Sequence, residues 1–333
     1  MTVAATPLAN DERDDVPTVA EAYKTKLGTM YQGKIEQFLD TYGEEYKGRV
    51  QLIFFSPPFP LRRKKKYGNK EGQDYVDWLA DLAPRLAELL TEDGSLVIEV
   101  GNAWDPGHPT MSLLPLKSLI EFSEKGKLKV CQQFICNNPA RLPSPVQWVN
   151  VERIRVKDSY THVWWMSKVE KPKSRQRSVL KEYSDSMKKL LKNQKYNAGP
   201  RPSEHVIGET SFLTDNGGAI PPSVLKFPEP VEDGDAENVL EFSNTHSSGP
   251  YRAYVKARGL KAHPAPMQSA LAEWFVKFLT DEGDLVLDPF GGSNTTGAMA
   301  EEHNRRWIAV EPMKDYIEGS KGRFAQFQIE PAE

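Results

Sequence analysis

Apolar positions along this chain switch between the period of a strand and the period of a helix. Val50-Gln51-Leu52-Ile53-Phe54-Phe55 is a short apolar run of buried-strand type. Ser56-Pro57-Pro58-Phe59-Pro60 breaks it, and a basic loop follows. Over residues 74–90, Tyr75, Trp78, Leu79, Leu82, Leu86 and Leu89 then recur at intervals of three and four. That spacing predicts an amphipathic helix, which Glu92-Asp93-Gly94 stops ahead of a second strand over 95–100. The pattern returns late in the chain. It predicts a helix over 265–279 ended by Asp281-Glu282-Gly283, a strand over 284–287, a glycine loop over 288–294, a helix opening over 295–302 and a strand over 307–310 that closes at Glu311. Such alternation implies an α/β sheet. Between the two halves, residues 170–239 are rich in Lys, Pro, Gly and Asp, are broken at Pro200-Arg201-Pro202 and Pro221-Pro222, and show little periodicity. They form a loop-rich insert.

Composition narrows the class. The chain has 333 residues, 39% hydrophobic and 27% charged, enough for one large α/β domain or two smaller ones. Its longest apolar stretch, around Leu52 to Phe55, is far too short to span a membrane. The first twenty residues carry Asp11, Glu12, Asp14 and Asp15 and no apolar core, so no secretory signal is expected and the terminus is expected to be disordered. Two cysteines, Cys131 and Cys136, and six scattered histidines offer neither a disulfide framework nor zinc spacing, so no metal site is expected and a reducing cytoplasm fits. The net charge of −3 conceals segregation. Residues 168–201 hold eleven basic and three acidic residues, whereas 202–241 hold one basic and nine acidic. A second basic cluster is Arg62, Arg63, Lys64, Lys65 and Lys66. Solvated faces explain such runs, and so does a cleft that attracts an anionic polymer.

Two loops carry chemistry. Asp288-Pro289-Phe290-Gly291-Gly292-Ser293-Asn294-Thr295-Thr296-Gly297 falls at a predicted strand end, where open parallel sheets bind ligands. Its glycines permit a tight turn, and the following helix offers free N–H groups. Glu311 comes 23 residues after Asp288, close to the spacing at which an acid accepts the hydroxyls of a ribose. The loop lacks the G-x-G-x-x-G pattern and the P-loop lysine, which disfavours a pyrophosphate or triphosphate. A carboxylate at its entrance suits a cationic amine such as the methionine end of S-adenosylmethionine. In Ser56-Pro57-Pro58 the prolines stiffen the backbone and leave carbonyls without local amide partners. The Ser56 hydroxyl and the Pro57 carbonyl can accept both hydrogens of an aromatic amine and free its lone pair for in-line attack. Phe59 offers a face on which a base rotated out of a duplex can stack.

With both loops in view, the chain resembles the amino-group DNA methyltransferases, in particular the branch that methylates cytosine at its N4 amine. Ser56-Pro57-Pro58-Phe59 is similar to that branch's catalytic motif, where adenine-modifying relatives usually carry Asp-Pro-Pro-Tyr. The segment 288–297 looks like the cofactor motif, and His263-Pro264-Ala265 resembles the segment that closes over the methionine moiety. The catalytic loop precedes the cofactor loop, as in the permuted β-type order, so the target-recognition region would lie between them. The resemblance implies a doubly wound Rossmann-like α/β sheet that uses S-adenosyl-L-methionine and acts on double-stranded DNA. It further implies residues 27–169 as the catalytic half, 170–239 as the target-recognition module and 240–324 as the cofactor half, after a disordered 1–26. Carried over, Ser56, Pro57, Pro58 and Phe59 hold the base. His263, Pro264, Asp288, Phe290, Gly291, Ser293 and Thr295 line the methionine part, and Glu311 meets the ribose. Arg62, Arg63, Lys64, Lys188, Lys189 and Lys192 are expected to meet DNA. Two departures stand out: Lys34 follows Gly33 where the family often has Gly-Asp, and Asn294 replaces a common glycine.

The implied activity is sequence-specific methylation in a prokaryotic cytoplasm, at the nucleoid, as the protective half of a restriction-modification pair with a cognate endonuclease, or as an orphan enzyme. Adenine-N6 methylation, a catalytically inactive DNA-binding module and a small-molecule methyltransferase are the alternatives; the long basic insert argues against the last. Trp164-Trp165 reads as buried strand, and His162 and His303 as satisfied or surface residues. Asn137-Asn138-Pro139 and Arg141 fit a turn and a substrate cleft equally well. Neither cysteine lies near the two loops, so carbon-5 methylation through a thiolate is not expected.

Overall fold

The computed structural model describes residues 18–58, 72–105, 107–138, 141–226 and 250–331. A ten-stranded sheet runs through it. In chain order its strands are β1 (Ala20–Lys24), β2 (Gly28–Gln32), β3 (Val50–Phe55), β4 (Leu90–Gly101), β5 (Lys129–Asn137), β6 (Tyr160–Ser167), β7 (Val224–Leu225), β8 (Leu285–Asp288), β9 (Arg306–Glu311) and β10 (Glu330–Pro331). Across the sheet they follow the order β7-β5-β6-β4-β3-β8-β9-β2-β1-β10. The central strands β4, β3, β8, β9 and β2 are parallel, and β6 and β1 run against their neighbours.

Helices α1 (Ile35–Tyr46), α2 (Gly72–Leu89) and α3 (Leu114–Lys125) cover one face. There Ile53, Phe55, Ile98, Leu287 and Val310 pack against Phe38, Leu79, Leu86 and Phe122. After a helix in the insert, α4 (Asp185–Asn193), and α5 (Pro250–Ala257), the helices α6 (Ser269–Leu279), α7 (Thr295–Glu302) and α8 (Lys314–Ser320) follow. On the second face Leu52, Phe54, Val286 and Ala309 meet Leu271, Phe275, Val276, Ala298 and Ile317. Alternate residues of β3 therefore feed two cores, which is why its sequence is continuously apolar and all six of its positions are buried.

The chain order reverses between β3 and β8. From β3 the sheet grows through β4, and from β8 it grows the other way through β9. Val286 pairs with Leu52 and Leu287 with Ile53, so both strands deliver their carboxyl ends to one crevice.

Several expectations need correction. Part of the segment expected to be disordered, 1–26, is β1, whose Tyr23 is fully buried and pairs its hydroxyl with Ser320 at 2.7 Å. The helix expected from 265 starts at Ser269, because Pro264 and Pro266 have no backbone N–H to give to a helix and the chain bends at 264–265. The insert is tied to the main sheet: Val224 and Leu225 pair with Ile135 and Cys136 of β5, and Arg175 makes a two-pronged contact with Asp281 at 2.7 and 2.6 Å. Trp165 lies in β6 as expected, its indole N–H donating to Ser95 Oγ at 2.8 Å. Cys136 is buried, and burial pushes its thiol far above the ordinary range.

Candidate functional site

Ser56, Pro57 and Pro58 leave β3, and Asp288 ends β8, on two walls of one cleft of about 330 Å³ at the reversal point. His263, Phe290, Gly291, Ser293, Thr295 and Glu311 line the same cleft. Most of the residues named from the sequence therefore converge. Pro264 is exposed and does not line the cleft; the wall continues through Ala265, Pro266 and Met267. Phe59, Arg62, Arg63 and Lys64 lie outside the described residues. Lys188, Lys189 and Lys192 are exposed on α4, a helix with no buried residue.

The glycine loop is held from several sides. Asp288 Oδ1 accepts the Phe290 N–H at 3.0 Å. Burial pushes this carboxyl up to about 6, against the opposing pull of the Phe290 amide and the Thr296 hydroxyl. Gly291 donates to Val310 O at 2.9 Å, and a Cβ on it would lie 3.1 Å from Ala309 Cβ. Gly292 has φ +50°, and a Cβ there would come within 3.0 Å of the His263 ring. His263 thus closes over the loop, its own N–H donating to Tyr251 Oη at 2.9 Å and its ring edge-on to Tyr316. Asn294 also adopts the left-handed conformation, φ +53°. It caps α7 by accepting the Gly297 N–H at 3.1 Å, and it donates to Tyr23 Oη at 3.2 Å. The asparagine in place of glycine supplies the same backbone conformation together with a cap.

Glu311 clasps this turn. One carboxylate oxygen accepts the Gly292 N–H and the other the Met313 N–H, both at 2.9 Å. Sequence reading missed Arg323, which donates to the Ser293 carbonyl at 2.8 Å and the Ser293 hydroxyl at 3.1 Å and packs over Tyr251. Burial pulls its guanidinium down to about 10.

The opposite end of the cleft is aromatic. Trp78 stands edge-on to Phe290, with ring centres 5.7 Å apart, and donates to Glu36 Oε1 at 2.6 Å. The Tyr75 hydroxyl, buried in the cleft wall, has no hydrogen-bond partner. A flat apolar slot, a glycine turn shaped to admit backbone, two acids and an orphaned donor together fit S-adenosylmethionine.

The base side contains a second residue that sequence reading passed over. Phe55 pairs with Ile98; Ser56 follows the first as the chain leaves β3, and Glu99 follows the second within β4. Glu99 is buried, accepts the Thr161 hydroxyl at 2.9 Å, and has its carboxyl pushed up by desolvation. The signal was present as a lone acid inside Leu96-Val97-Ile98-Glu99-Val100. His162 lies between Gln133 at 3.0 Å and Asn102 at 3.1 Å, and burial lowers its pKa, as befits a satisfied residue.

A doubly wound α/β sheet with this glycine turn and an acid at the end of each adjoining strand defines an S-adenosylmethionine-dependent methyltransferase. Residues 50–322 match the model of the N6_N4_Mtase family, described as DNA methylase, and the chain belongs to that family. Among curated relatives, type II methyltransferase M.PvuII of Proteus hauseri is 43% identical over 310 residues, 92% of this chain and 87% of the relative. Type II methyltransferase M.HpaI of Haemophilus parainfluenzae is 33% identical over 104 residues, 31% of each chain. Among solved structures, PvuII DNA methyltransferase (cytosine-N4-specific) superposes with a TM-score of 0.69 at 36% identity, covering 91% of this chain and 88% of that one.

Proposed function

We infer that this protein transfers a methyl group from S-adenosyl-L-methionine to the N4 amine of a cytosine rotated out of double-stranded DNA. The observation that carries the reading is the meeting of Ser56-Pro57-Pro58 and Asp288 across one cleft, in a chain with 43% identity to M.PvuII. When bound, the cofactor supplies an electrophilic methyl group on sulfonium. The Ser56 hydroxyl and the Pro57 carbonyl accept the amine hydrogens and turn the nitrogen toward tetrahedral geometry. To Glu99, the buried carboxylate that follows the Phe55–Ile98 pair on the neighbouring strand, this reading assigns the proton that the amine loses. Asp288 takes the cationic amine of the methionine end, and Glu311 a ribose hydroxyl.

The insert between β6 and α5 supplies target recognition, with α4 lysines on phosphates, because a pocket that encloses one base cannot read its neighbours. The type II relatives support a place in a restriction-modification pair with a cognate endonuclease, and a cytoplasmic location. No helix among the described residues is long and apolar enough to cross a membrane. Between cytosine and adenine, Ser56 and the cytosine-N4-specific neighbour favour cytosine. Nucleoside digestion and mass spectrometry of DNA from an expressing host test this directly: N4-methylcytosine is expected, and a dominant N6-methyladenine peak overturns the base assignment.

A further inference from the structure

The carboxyl edge of the sheet that holds Ser56 also carries a second surface. Strand β5 is parallel to β4 and ends at Asn137, so the segment leaving it emerges on the same edge as Ser56. Residues 141–157 return from that edge to β6 as a single turn of π-helix, Gln147–Val151, flanked by irregular chain. Leu142, Val146, Val151, Ile154 and Val156 are all exposed; Leu142 is 81% and Val156 87% accessible. Five aliphatic side chains in so short a stretch facing solvent is a pattern that marks a contact surface.

The charge there is one-sided. Arg141, Arg153, Arg155 and Lys157 face a single acid, Glu152, within the segment. Arg141 and Arg155 brace the segment from behind. Arg141 donates to Tyr160 O at 3.3 Å. Arg155 donates to Pro109 O and lies 4.3 Å over the Trp104 ring, which fixes the segment to the hairpin that follows β4. Arg153 and Lys157 remain exposed. The stretch is thus a braced basic rim with aliphatic side chains standing out from it, on the same edge of the sheet as Ser56.

We propose that residues 141–157 are the surface on which the duplex docks around the target cytosine, its basic residues on phosphates and its exposed aliphatic residues at the base step that the rotated cytosine leaves open. This rests on the base-rotating reaction inferred above. Unstacking a base leaves an apolar gap in the duplex, and proteins that distort DNA fill such gaps with aliphatic wedges. Cations beside the gap hold the flanking backbone in register. A second copy of this chain would also cover apolar side chains, but it would gain nothing from an excess of like charge on both partners.

The test uses the full chain and a short duplex carrying the site defined by sequencing modified bases in an expressing host. The target cytosine is placed opposite guanine in one duplex and opposite an abasic position in the other. The exposed pair L142S/V156S should lose roughly tenfold or more in turnover on the paired duplex, keep its cofactor affinity by calorimetry, and recover on the unpaired duplex, where rotation is already easy. An equal loss on both duplexes, or no loss on either, overturns the proposal. R153Q/K157Q should make the salt dependence of DNA binding shallower, and an unchanged slope overturns the docking role. A sedimentation shift from dimer to monomer in L142S/V156S with methylation intact would assign the surface to a second copy and overturn it as well. Absence of N4-methylcytosine from the unaltered chain would overturn the reaction itself, and this surface's role with it.

Discussion

Asp288 is the residue on which cofactor binding and acidity meet. Its carboxyl is buried at a strand end and pushed up to about 6, so near neutral pH it is charged, and at pH 5 it is mostly protonated. If the charged form receives a cationic amine, affinity for S-adenosylmethionine should fall about tenfold per pH unit below 6 and level off above it, as calorimetry across that range would show. The same shift bears on the fold with the opposite sign. The folded state holds the proton more tightly than the unfolded chain, whose aspartates titrate near about 3.9. This group's contribution to the stability of the cofactor-free protein is therefore largest at low pH and is lost as pH rises from about 4 to about 6. Substitution separates the two pockets: Asp288→Ala should abolish cofactor binding, whereas Ser56→Ala should bind the cofactor normally and lose about a hundredfold or more in turnover. Equal loss of affinity in both variants would refute the division between cofactor acid and base acceptor.

The elements were legible where one physical cause dominated. β3, α2, β8 and β9 follow from apolar period alone, because each buries its apolar residues against a helical layer or a neighbouring strand. The residues that define the cleft were legible for a different reason: prolines and glycines restrict or free the backbone wherever they occur, so Ser56-Pro57-Pro58 and Gly291-Gly292 announce special geometry without any knowledge of neighbours. Glu99 and Arg323 stayed hidden because their importance depends on register across strands and on packing between distant segments. β1 was hidden by its largely polar sequence, which is paired on both sides and buries only Tyr23. The left-handed Asn294 offers a direct test at the scale of a single turn. Asn294→Ala removes the α7 cap and puts at positive φ a side chain without asparagine's tolerance of the left-handed region, so about 1–2 kcal/mol of stability should be lost in denaturant unfolding. Asn294→Gly keeps the conformation and should cost only a few tenths of that. If the two variants were equally destabilised, the hydrogen bond to Tyr23 rather than the backbone conformation would be setting the residue.

At the scale of the molecule, the charge pattern decides how DNA is approached. A protein with net charge −3 has no general attraction for a polyanion, so binding must come from segregated patches. Of the eleven basic residues of 168–201, Lys173 and Arg175 pair with Asp281 and Asp284, whereas α4 concentrates Lys188, Lys189 and Lys192 on an exposed helix that contributes nothing to either core. Among the described residues Lys188 is the one of the three with an ion-pair partner, Glu182 at 3.5 Å, and that pair is exposed and readily exchanged for a phosphate. If the three lysines meet phosphates, replacing all of them with glutamine should weaken binding to every DNA sequence alike and leave the preference for the target site intact. The dependence of log affinity on log salt should become shallower by about three, since each phosphate contact contributes close to one unit of slope. Cofactor affinity and thermal stability should not move, because the helix packs against neither the cleft nor the cores. A fall in affinity confined to the target site, with the salt slope unchanged, would instead make these lysines readers of base edges and place the phosphate contacts on the rim over 141–157.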